Sequence, residues 1–391
     1  MAPDELRAWL RLLQTPLIGR HSARRLLAAL GSPQGIFDAS PETLRALVNA
    51  KPAAALTARP PPEFEALVDA TLAWLNDRES SATRCVIALG DPRYPSALLE
   101  TADPPLLLYA HGDIGLLQRF STTLAVVGSR NPTPQGLETA RQFSEQACRA
   151  GLTVVSGLAL GIDAAAHEGS LAGARPEQAA TIAVVGTGLD RVYPSRHLKL
   201  AHRIAAQGLM LSEYPLGTSP LPANFPQRNR IIAGLARATL VVEAALPSGS
   251  LITAKQALEA GRDVLAIPGS IHSPLSRGCH MLIKQGAKLV DSAQDVLEEF
   301  GKVSAPKSID ASAAGARFSE PPNDTADDDT ADGHTAHALL TALGYDPVGL
   351  DALSARTGRS AADLNGALLE LELEGRVNRL PGQLFQRCAQ A

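Results

Sequence analysis

S-E-Y-P, at residues 212–215, opens the stretch that decides the fold. The stretch continues with N-F-P-Q-R-N-R from Asn224, the apolar T-L-V-V-E-A from Thr239, S-G-S-L from Ser248 and A-I-P-G-S from Ala266. N-F-P-Q-R-N-R combines one aromatic ring, two guanidinium groups and the amides of two asparagines, which stack on bases and hold phosphates or carboxylates. S-G-S-L is predicted to begin a helix whose free N–H groups can hold an anion. Because two anion-holding elements flank one apolar strand, the stretch predicts a charged ligand across the ends of a sheet.

Apolar strands alternate with helical segments on both sides of this stretch. The predicted strands are 123–127, 153–156, 181–185, 209–212, 239–242, 264–267 and 288–290, and 136–149 and 198–207 are two of the intervening helices. This alternation predicts an α/β fold with a parallel sheet covered on both faces. Ligands of such sheets bind at the carboxyl ends of the strands, near a topological switch point. V-V-G-S-R, V-V-S-G-L-A-L-G-I-D, V-V-G-T-G, S-E-Y-P, V-V-E-A and A-I-P-G-S each lie at the end of a predicted strand, so one shared site is expected at that edge.

The chain is expected to contain three domains and a linker. Residues 1–80 have the apolar spacing of helices, and T-P-L-I-G-R between two of them is typical of a helix-hairpin-helix element or of a small helical cap. Residues 84–300 hold the sheet domain. Residues 301–333 are rich in Ala, Ser, Pro and Asp, which predicts a flexible acidic linker.

A C-terminal module, residues 334–391, has the pattern of a winged helix. Its predicted elements are helices at 335–343, 348–357 and 361–374 and a β-hairpin around Pro381-Gly382. The third helix carries four acidic residues and no Lys or Arg, which is the wrong sign for a phosphate backbone. A protein-interaction or structural role is therefore favoured over DNA reading.

Composition restricts the class of protein. The net charge is −4, so a polyanion site has to be a local patch and not a global basic field. The charged start M-A-P-D-E-L-R and the absence of an 18-residue apolar run predict a cytoplasmic protein without a membrane segment. The four cysteines are isolated and there is no H-E-x-x-H, so neither disulfides nor a metal site is expected.

The motifs of common enzymes are missing from the sequence. Gly128 is followed by Ser129 and Arg130 where a dinucleotide fingerprint needs G-x-G-x-x-G, and neither a phosphate-loop motif nor G-x-S-x-G occurs. Asp163 and Glu243 follow strands and have the chemistry of a general base, but an acid that orients an arginine is the favoured interpretation. The expectation is a binding site without catalysis and without a cofactor.

These motifs resemble those of the DNA-processing protein A (DprA/Smf) family. The resemblance is carried by A-V-V-G-S-R, V-S-G-L-A-L-G-I-D-A-A-A-H, A-V-V-G-T-G-L-D-R-V-Y-P, S-E-Y-P-L-G, N-F-P-Q-R-N-R-I-I-A-G-L, V-V-E-A, S-G-S-L-I-T-A and A-I-P-G-S. It implies an extended Rossmann-like core, an N-terminal helical domain of the SAM or helix-hairpin-helix type and a C-terminal winged helix. It also implies binding of single-stranded DNA without strong sequence preference, a homodimer, and transfer of the strand to the RecA recombinase during natural transformation.

The resemblance implies a set of DNA-binding residues. They are Gly128, Ser129, Arg130, Ser156, Gly157, Gly161, Lys199, Phe225, Arg228, Asn229, Arg230, Ser248, Gly249, Ser250 and Lys255, with Asp163, Glu213 and Glu243 as orienting acids. Phe225 is expected either to stack on a base or to belong to the core. Arg228 and Arg230 cannot both face one way on a helix, so one of them is expected to pair with an acid. G-C-H at residues 278–280 and L-A-R at residues 235–237 depart from the family pattern. These departures concern the outer rim of the predicted DNA-binding pocket and not the pocket itself.

Two other functions remain open from the residues alone. A nucleotide-cleaving enzyme of a related Rossmann-like family would need P-G-G-x-G-T-x-x-E, whereas Pro268-Gly269 is followed by Ser270 and Ile271. A scaffold with a vestigial pocket would place the activity in the linker and the winged helix.

Overall fold

The computed structural model of the chain describes residues 1–77, 82–175, 178–271, 273–301, 339–340, 342–343 and 347–388. The chain forms two compact units, one from Met1–Pro132 and Thr139–Val303, the other from Thr133–Glu138 and Ser304–Ala391. Residues 302–333 of the expected linker, and parts of the expected helix at 335–343, lie outside the described residues. The exact domain boundaries stay a prediction.

Helices occupy most of residues 1–77. They are α1 (Pro3–Gln14), α2 (Arg20–Leu30), α3 (Pro33–Asp38), α4 (Pro41–Leu47), α5 (Ala50–Thr57) and α6 (Glu63–Asn76). The first helix begins with a proline and has Asp4 and Glu5 in its first turn and Arg11 in its last, an order that the helix dipole favours. Leu6 and Leu10 lie four residues apart on the buried face of this helix. The N-terminal region is thus a helical layer whose apolar core also includes Val86 and Tyr109 from beyond the helices.

A nine-stranded sheet lies at the centre of the first unit, counted over the described residues. Its strands are β1 (Arg84–Ala88), β2 (Leu107–Gly112), β3 (Thr123–Val127), β4 (Thr153–Ser156), β5 (Thr181–Val185), β6 (Leu209–Ser212), β7 (Ala238–Val241), β8 (Asp263–Ala266) and β9 (Lys288–Leu289). The strand order is β1-β2-β6-β5-β4-β3-β7-β8-β9. All pairs from β6 to β9 are parallel, whereas β1 and β2 join antiparallel beside β6. The predicted parallel sheet is confirmed, and β1 and β2 add two strands that the sequence did not predict.

Helices cover both faces of the sheet. They are α7 (Ser96–Leu99), α8 (Pro134–Arg149), α9 (Ile162–Gly173), α10 (Leu198–Gln207), α11 (Asn224–Leu235), α12 (Gly249–Glu259), α13 (Arg277–Lys284) and α14 (Ala293–Phe300), with short 3-10 turns at Ile114–Gln118, Phe120–Thr122, Ser195–His197 and Pro274–Ser276. Alternate residues of β3 point to opposite faces. Leu124 packs in one buried cluster with Ile162 of α9, and Ala125 packs in another with Ile231 of α11. The sheet is therefore buried on both faces.

The strand order reverses next to β3. After β3 the chain builds β4, β5 and β6 on one side, and it then returns through α11 to place β7 on the other side of β3. The loops that follow β3 and β7 consequently diverge at the carboxyl edge. Open α/β sheets bind their ligands at such a switch point.

The second unit contains a winged helix. Its described elements are β10 (Val348–Gly349), α15 (Leu350–Thr357), α16 (Ala361–Leu373), β11 (Val377–Leu380) and β12 (Leu384–Arg387), and the three strands form an antiparallel sheet in the order β10-β12-β11. The hydroxyl of Ser360 caps α16 by accepting from the N–H of Asp363 at 3.2 Å. Leu369 and Leu373 of α16 are exposed, and this face contains no cation. A role for the winged helix outside DNA reading stays a prediction.

Across the part of the chain that the structure describes, no helix combines the length and apolar content that crossing a bilayer requires.

Candidate functional site

A cleft of about 510 Å³ opens at the switch point between β3 and β7. The loop after β3 lines one side with Gly128, Ser129 and Arg130, and the start of α12 lines the other with Ser248, Gly249 and Ser250. Asp163, Arg228 and Asn229 also line this cleft. The structure thus brings together nine of the predicted site residues from four separate segments of the chain.

The N-terminal end of α12 gives the cleft a positive wall. The hydroxyl of Ser248 accepts from the N–H of Ser250 at 3.2 Å, and the two hydroxyl oxygens are 2.5 Å apart. No acidic residue occupies the first turn of this eleven-residue helix. The Asn229 side chain bonds the carbonyl of Gly249 at 3.4 Å, which ties α11 to the start of α12. The helix dipole and free N–H groups are therefore directed at whatever anion enters the cleft.

Arg130 connects this cleft to a smaller pocket of about 70 Å³ that contains aromatic rings. Its exposed guanidinium lies 5.6 Å from the centre of the Phe225 ring, within cation–π range. The ring of Tyr193 lies 5.5 Å from that of Phe225 at an angle of 39°. Phe225 is partly exposed and lines the pocket, so it is not a residue of the buried core. A flat ring and a mobile cation thus share one concave surface.

Arg228 forms the floor of both the cleft and the pocket. Only 3% of it is exposed, its Nη1 donates to the carbonyl of Val184, and its Nε has no hydrogen-bond partner. Burial lowers the pKa of Arg228 to about 10; the charge of Asp163 opposes this shift and that of Arg130 adds to it. The group is still a cation at neutral pH, and a buried cation favours an anionic ligand beside it.

Gly157 has no side chain, and the guanidinium of Arg228 occupies the space where its Cβ would lie. A Cβ atom built on Gly157 would overlap Nη1, Cζ and Nη2 of Arg228. Gly157 also supplies its N–H to the Asp163 carboxylate at 3.2 Å, and Ala159 supplies a second at 3.4 Å. The loop after β4 therefore seats the buried arginine and its buried counter-charge together.

Asp163 has the environment of an orienting acid. Burial raises the pKa of its carboxyl group, while the charge of Arg228 and the two backbone N–H groups lower it. These N–H groups occupy the carboxylate and hold it beside the guanidinium. One helical turn further on, His167 is fully buried, and burial lowers its pKa to about 3. Neither group is presented to solvent as a proton-transfer residue would be.

Gly161 brings the loops after β3 and β4 into contact. Its φ is +77°, and a Cβ there would overlap the carbonyl oxygen of Ser129. That oxygen accepts from the N–H of Ile162 at 3.1 Å. Ser156 lies beneath, its hydroxyl donating to the carbonyl of Val126 at 2.7 Å. Gly161 and Ser156 thus shape the cleft without lining it.

Five of the predicted residues lie away from this cleft: Lys199, Glu213, Arg230, Glu243 and Lys255. Arg230 points to the other side of α11, where its Nη2 is 2.5 Å from the carboxylate of Glu213. Lys199 is exposed near the start of α10 and lines neither the cleft nor the pocket. Lys255 is 77% exposed and pairs with Glu259 at 3.6 Å along α12. Of the two arginines, Arg228 therefore faces the cleft and Arg230 is the one that pairs with an acid.

Glu243 follows β7 and is partly buried, outside the residues that line the cleft. Tyr193 and Asn131 line the pocket and the cleft, respectively, and were missed by the sequence reasoning. Tyr193 lies within V-G-T-G-L-D-R-V-Y-P and Asn131 within V-G-S-R-N, and both segments follow predicted strands. The signal that indicated Arg130, a position after a strand end, therefore applies to them as well.

A largely parallel sheet with a cationic cleft at its switch point defines a Rossmann-like fold with a candidate anion-binding site. A family model described as DNA recombination-mediator protein A matches residues 85–301, and a model of the DprA winged helix domain matches residues 320–383. The chain belongs to this DNA recombination-mediator protein A (DprA/Smf) family.

Relatives and solved structures agree with this assignment. Protein Smf of Escherichia coli is 40% identical over 318 residues, which are 81% of this chain and 79% of that protein. DNA processing protein DprA of Streptococcus pneumoniae is 50% identical over 210 residues, 54% of this chain and 72% of the relative. The crystal structure of the S. pneumoniae protein matches 77% of this chain and 98% of its own with a TM-score of 0.64 and 38% identity.

A second solved structure concerns DNA processing protein A of Helicobacter pylori and its single-stranded DNA binding mode. It matches 55% of this chain and 94% of its own, with a TM-score of 0.50 and 29% identity.

Proposed function

We propose that the protein binds single-stranded DNA in the cleft and the adjoining aromatic pocket. The observation that carries the proposal is the position of Arg130, which lies over the Phe225 ring on one side and beside the α12 N-terminus on the other. Phosphates of the strand meet Arg130 and the N–H group of Gly249, and an unpaired base stacks near Phe225. Backbone contacts plus a stacking ring bind single strands with little sequence preference.

Two features support single-stranded DNA over a duplex. The pocket presents the partly exposed rings of Tyr193 and Phe225, on which an unpaired base can stack, whereas the bases of a duplex are already stacked on one another. The H. pylori relative is a single-stranded DNA-binding protein by its description. The proposed binding is reversible and makes no covalent bond to the strand. Within the proposal, Ser129, Asn229 and Ser248 supply polar contacts, and Lys199 and Lys255 are outer backbone contacts.

Replacement of Arg130 tests this proposal directly. Arg130→Ala is expected to weaken binding to an oligo-dT by about 5- to 20-fold, because one charge-assisted phosphate contact is lost. The slope of log K against log salt should fall in magnitude by about 0.7, the value for one phosphate contact on a single strand. Fluorescence anisotropy at several salt concentrations measures both quantities.

Arg149→Ala is the matched control, since Arg149 is 64% exposed on α8 and pairs only along its own helix with Glu145. Its affinity and salt slope should equal those of the unaltered protein. Equal binding by the Arg130 and Arg149 variants would remove the cleft from the proposal.

The proposal extends to a homodimer that transfers the strand to RecA, as the family resemblance implies. A DNA-bound mediator should shorten the lag before RecA assembles on an oligonucleotide already coated with single-strand-binding protein. The lag in RecA ATP hydrolysis is expected to fall several-fold with the unaltered protein and to remain long with Arg130→Ala. A lag that stays long at saturating unaltered protein would contradict RecA loading while leaving DNA binding intact. The homodimer is tested separately, by measuring the sedimentation of the unaltered protein. A protein that sediments at the monomer mass would contradict the dimer.

A further inference from the structure

Five charged side chains form a closed cluster on the side of α11 that faces away from the cleft. We name it the α11 anchor: Arg20, Arg24, Asp103, Glu213 and Arg230. Arg230 holds Glu213 at 2.5 Å, and its Nε lies 3.4 Å from Asp103. The side chains of Glu213 and Arg230 are only 8% and 11% exposed. Further contacts to the two carboxylates help to offset the cost of burying such an ion pair, although Nε and Nη1 of Arg230 themselves make no hydrogen bond.

The N-terminal helices supply further partners for the carboxylates of Asp103 and Glu213. Arg20 of α2 places Nε 2.6 Å from Asp103 and Nη1 3.3 Å from Glu213, so one guanidinium joins both carboxylates. Arg24, one turn further along α2, reaches the other oxygen of Asp103 at 2.6 Å. Burial alone would raise the pKa of Asp103, but the hydrogen bond from Arg24 and the charges of Arg230 and Arg20 bring it below its usual value. Asp103 is therefore ionised and shared by three arginines, two of which also pair with Glu213.

This pairing also bears on the role of α2. The turn before α2 resembles a helix-hairpin-helix element, whose cations would be expected to face a DNA backbone. Arg20 and Arg24 instead point inward to Asp103 and Glu213. The helical cap is the interpretation that these contacts support.

The anchor is connected to the cleft through the rotation of α11. Residues two apart on a helix leave it about 200° apart, so Arg230 and Arg228 project from opposite sides. Phe225 and Arg228, three residues apart, share the side that faces the pocket. On that side Arg228 fits a space that excludes even a Cβ on Gly157. A small rotation of α11 would therefore move Phe225 and force Arg228 against the loop after β4.

We propose that the α11 anchor is a positioning device, through which the N-terminal helices hold Phe225 and Arg228 in the setting that binds single-stranded DNA. The inference rests on the proposed DNA-binding function and adds Arg20, Arg24 and Asp103 to it as positioning residues. They touch no ligand. Their effect reaches the strand only through Glu213 and Arg230.

Arg20→Ala tests the device, because it removes the contact of α2 with Glu213 and one of its two contacts with Asp103, and it leaves the buried Glu213–Arg230 pair. The dissociation constant for an oligo-dT should rise by about 3- to 10-fold, the range expected when a coupled but non-contacting residue is lost. The salt slope should stay that of the unaltered protein, since no phosphate contact is removed. Arg20→Lys keeps the charge but not the planar guanidinium that contacts both carboxylates at once, so it should recover part of the affinity.

Arg7→Ala is the matched control, because Arg7 of α1 also makes an ion pair within the N-terminal helices, with Glu65, and is 48% exposed. The affinity of the Arg7→Ala protein should be unchanged.

If Arg20→Ala does not fold, Arg24→Ala removes only one partner of Asp103. It should give a smaller rise in the dissociation constant, with the same unchanged salt slope. An Arg20→Ala protein with a lowered Tm and unchanged affinity would overturn the inference and make the anchor a purely structural joint. A slope reduced by about 0.7 would overturn it as well, by showing that Arg20 contacts phosphate. Absence of binding by the unaltered protein would instead overturn the proposed function, and the inference with it.

Discussion

Gly157→Ala should abolish tight binding of single-stranded DNA while leaving most of the fold intact. The new methyl group would occupy the position of the Arg228 guanidinium, which is held by the carbonyl of Val184 and has no free space to enter. Displacing this cation should weaken oligo-dT binding by at least about 10-fold and lower the free energy of unfolding by about 1–3 kcal/mol, as overpacking does. Anisotropy titration and urea denaturation measure the two effects.

The backbone of Gly157 is not in the left-handed region, so an alanine fits its φ and the effect comes from the contact alone. Gly366→Ala provides the comparison, because Gly366 lies in α16 with no neighbouring atom where its Cβ would be built. That variant should bind normally and be as stable as the unaltered protein or slightly more stable. Normal binding by Gly157→Ala would show that the position of Arg228 is not required.

The local sequence pattern was sufficient to predict the parallel strands of the sheet. A strand such as T-I-A-V-V at β5 is a continuous apolar run between helical segments, and this pattern is specific to a sheet buried on both faces. The antiparallel strands β1 and β2 were not predicted, although both are apolar. Short apolar runs without a clear period do not distinguish a buried strand from a buried helix. Pairing direction, moreover, depends on distant β6 and not on the runs themselves.

The same limit applies to the site. Arg130 was predicted because it follows a strand, and strand ends converge in space, whereas Phe225 was predicted from the composition of N-F-P-Q-R-N-R and from the family resemblance. The choice between Arg228 and Arg230 was beyond the sequence, since the rotation of a helix is set by what packs on each side. Here one side packs on Gly157 and the other on Glu213 and Asp103. Asp103 and Arg20 had no motif at all, because an ion pair between distant segments leaves no spacing to recognise.

Arg228→Met should have the largest effect on both stability and binding. Met fills a similar volume, but Asp163 is left buried without the cation that offsets its charge. Breaking a buried charge arrangement in this way should lower the free energy of unfolding by about 2–4 kcal/mol at pH 7. Binding of oligo-dT should fall below detection in the same anisotropy assay, because the floor of the cleft loses its charge.

The stability loss should depend on pH with a defined sign. The folded pKa of Asp163 already lies above its unfolded value, and loss of Arg228 raises it further. The folded state then holds a proton that the unfolded state releases, so stability falls as the pH rises through this range and recovers as the pH is lowered from 7 toward 5. Urea denaturation at both pH values should therefore show a smaller difference between variant and unaltered protein at pH 5.

Asp163→Asn, added to Arg228→Met, separates the two roles of the arginine. The double variant has no buried carboxylate to leave unpaired, so it should regain most of the lost stability and lose its pH dependence between 5 and 7. It should still fail to bind the strand, because the amide restores the fold around the cleft but not the cation in its floor. A double variant that binds like the unaltered protein would assign Arg228 to the fold alone, and Arg130 with the α12 N-terminus would then have to hold the strand without it.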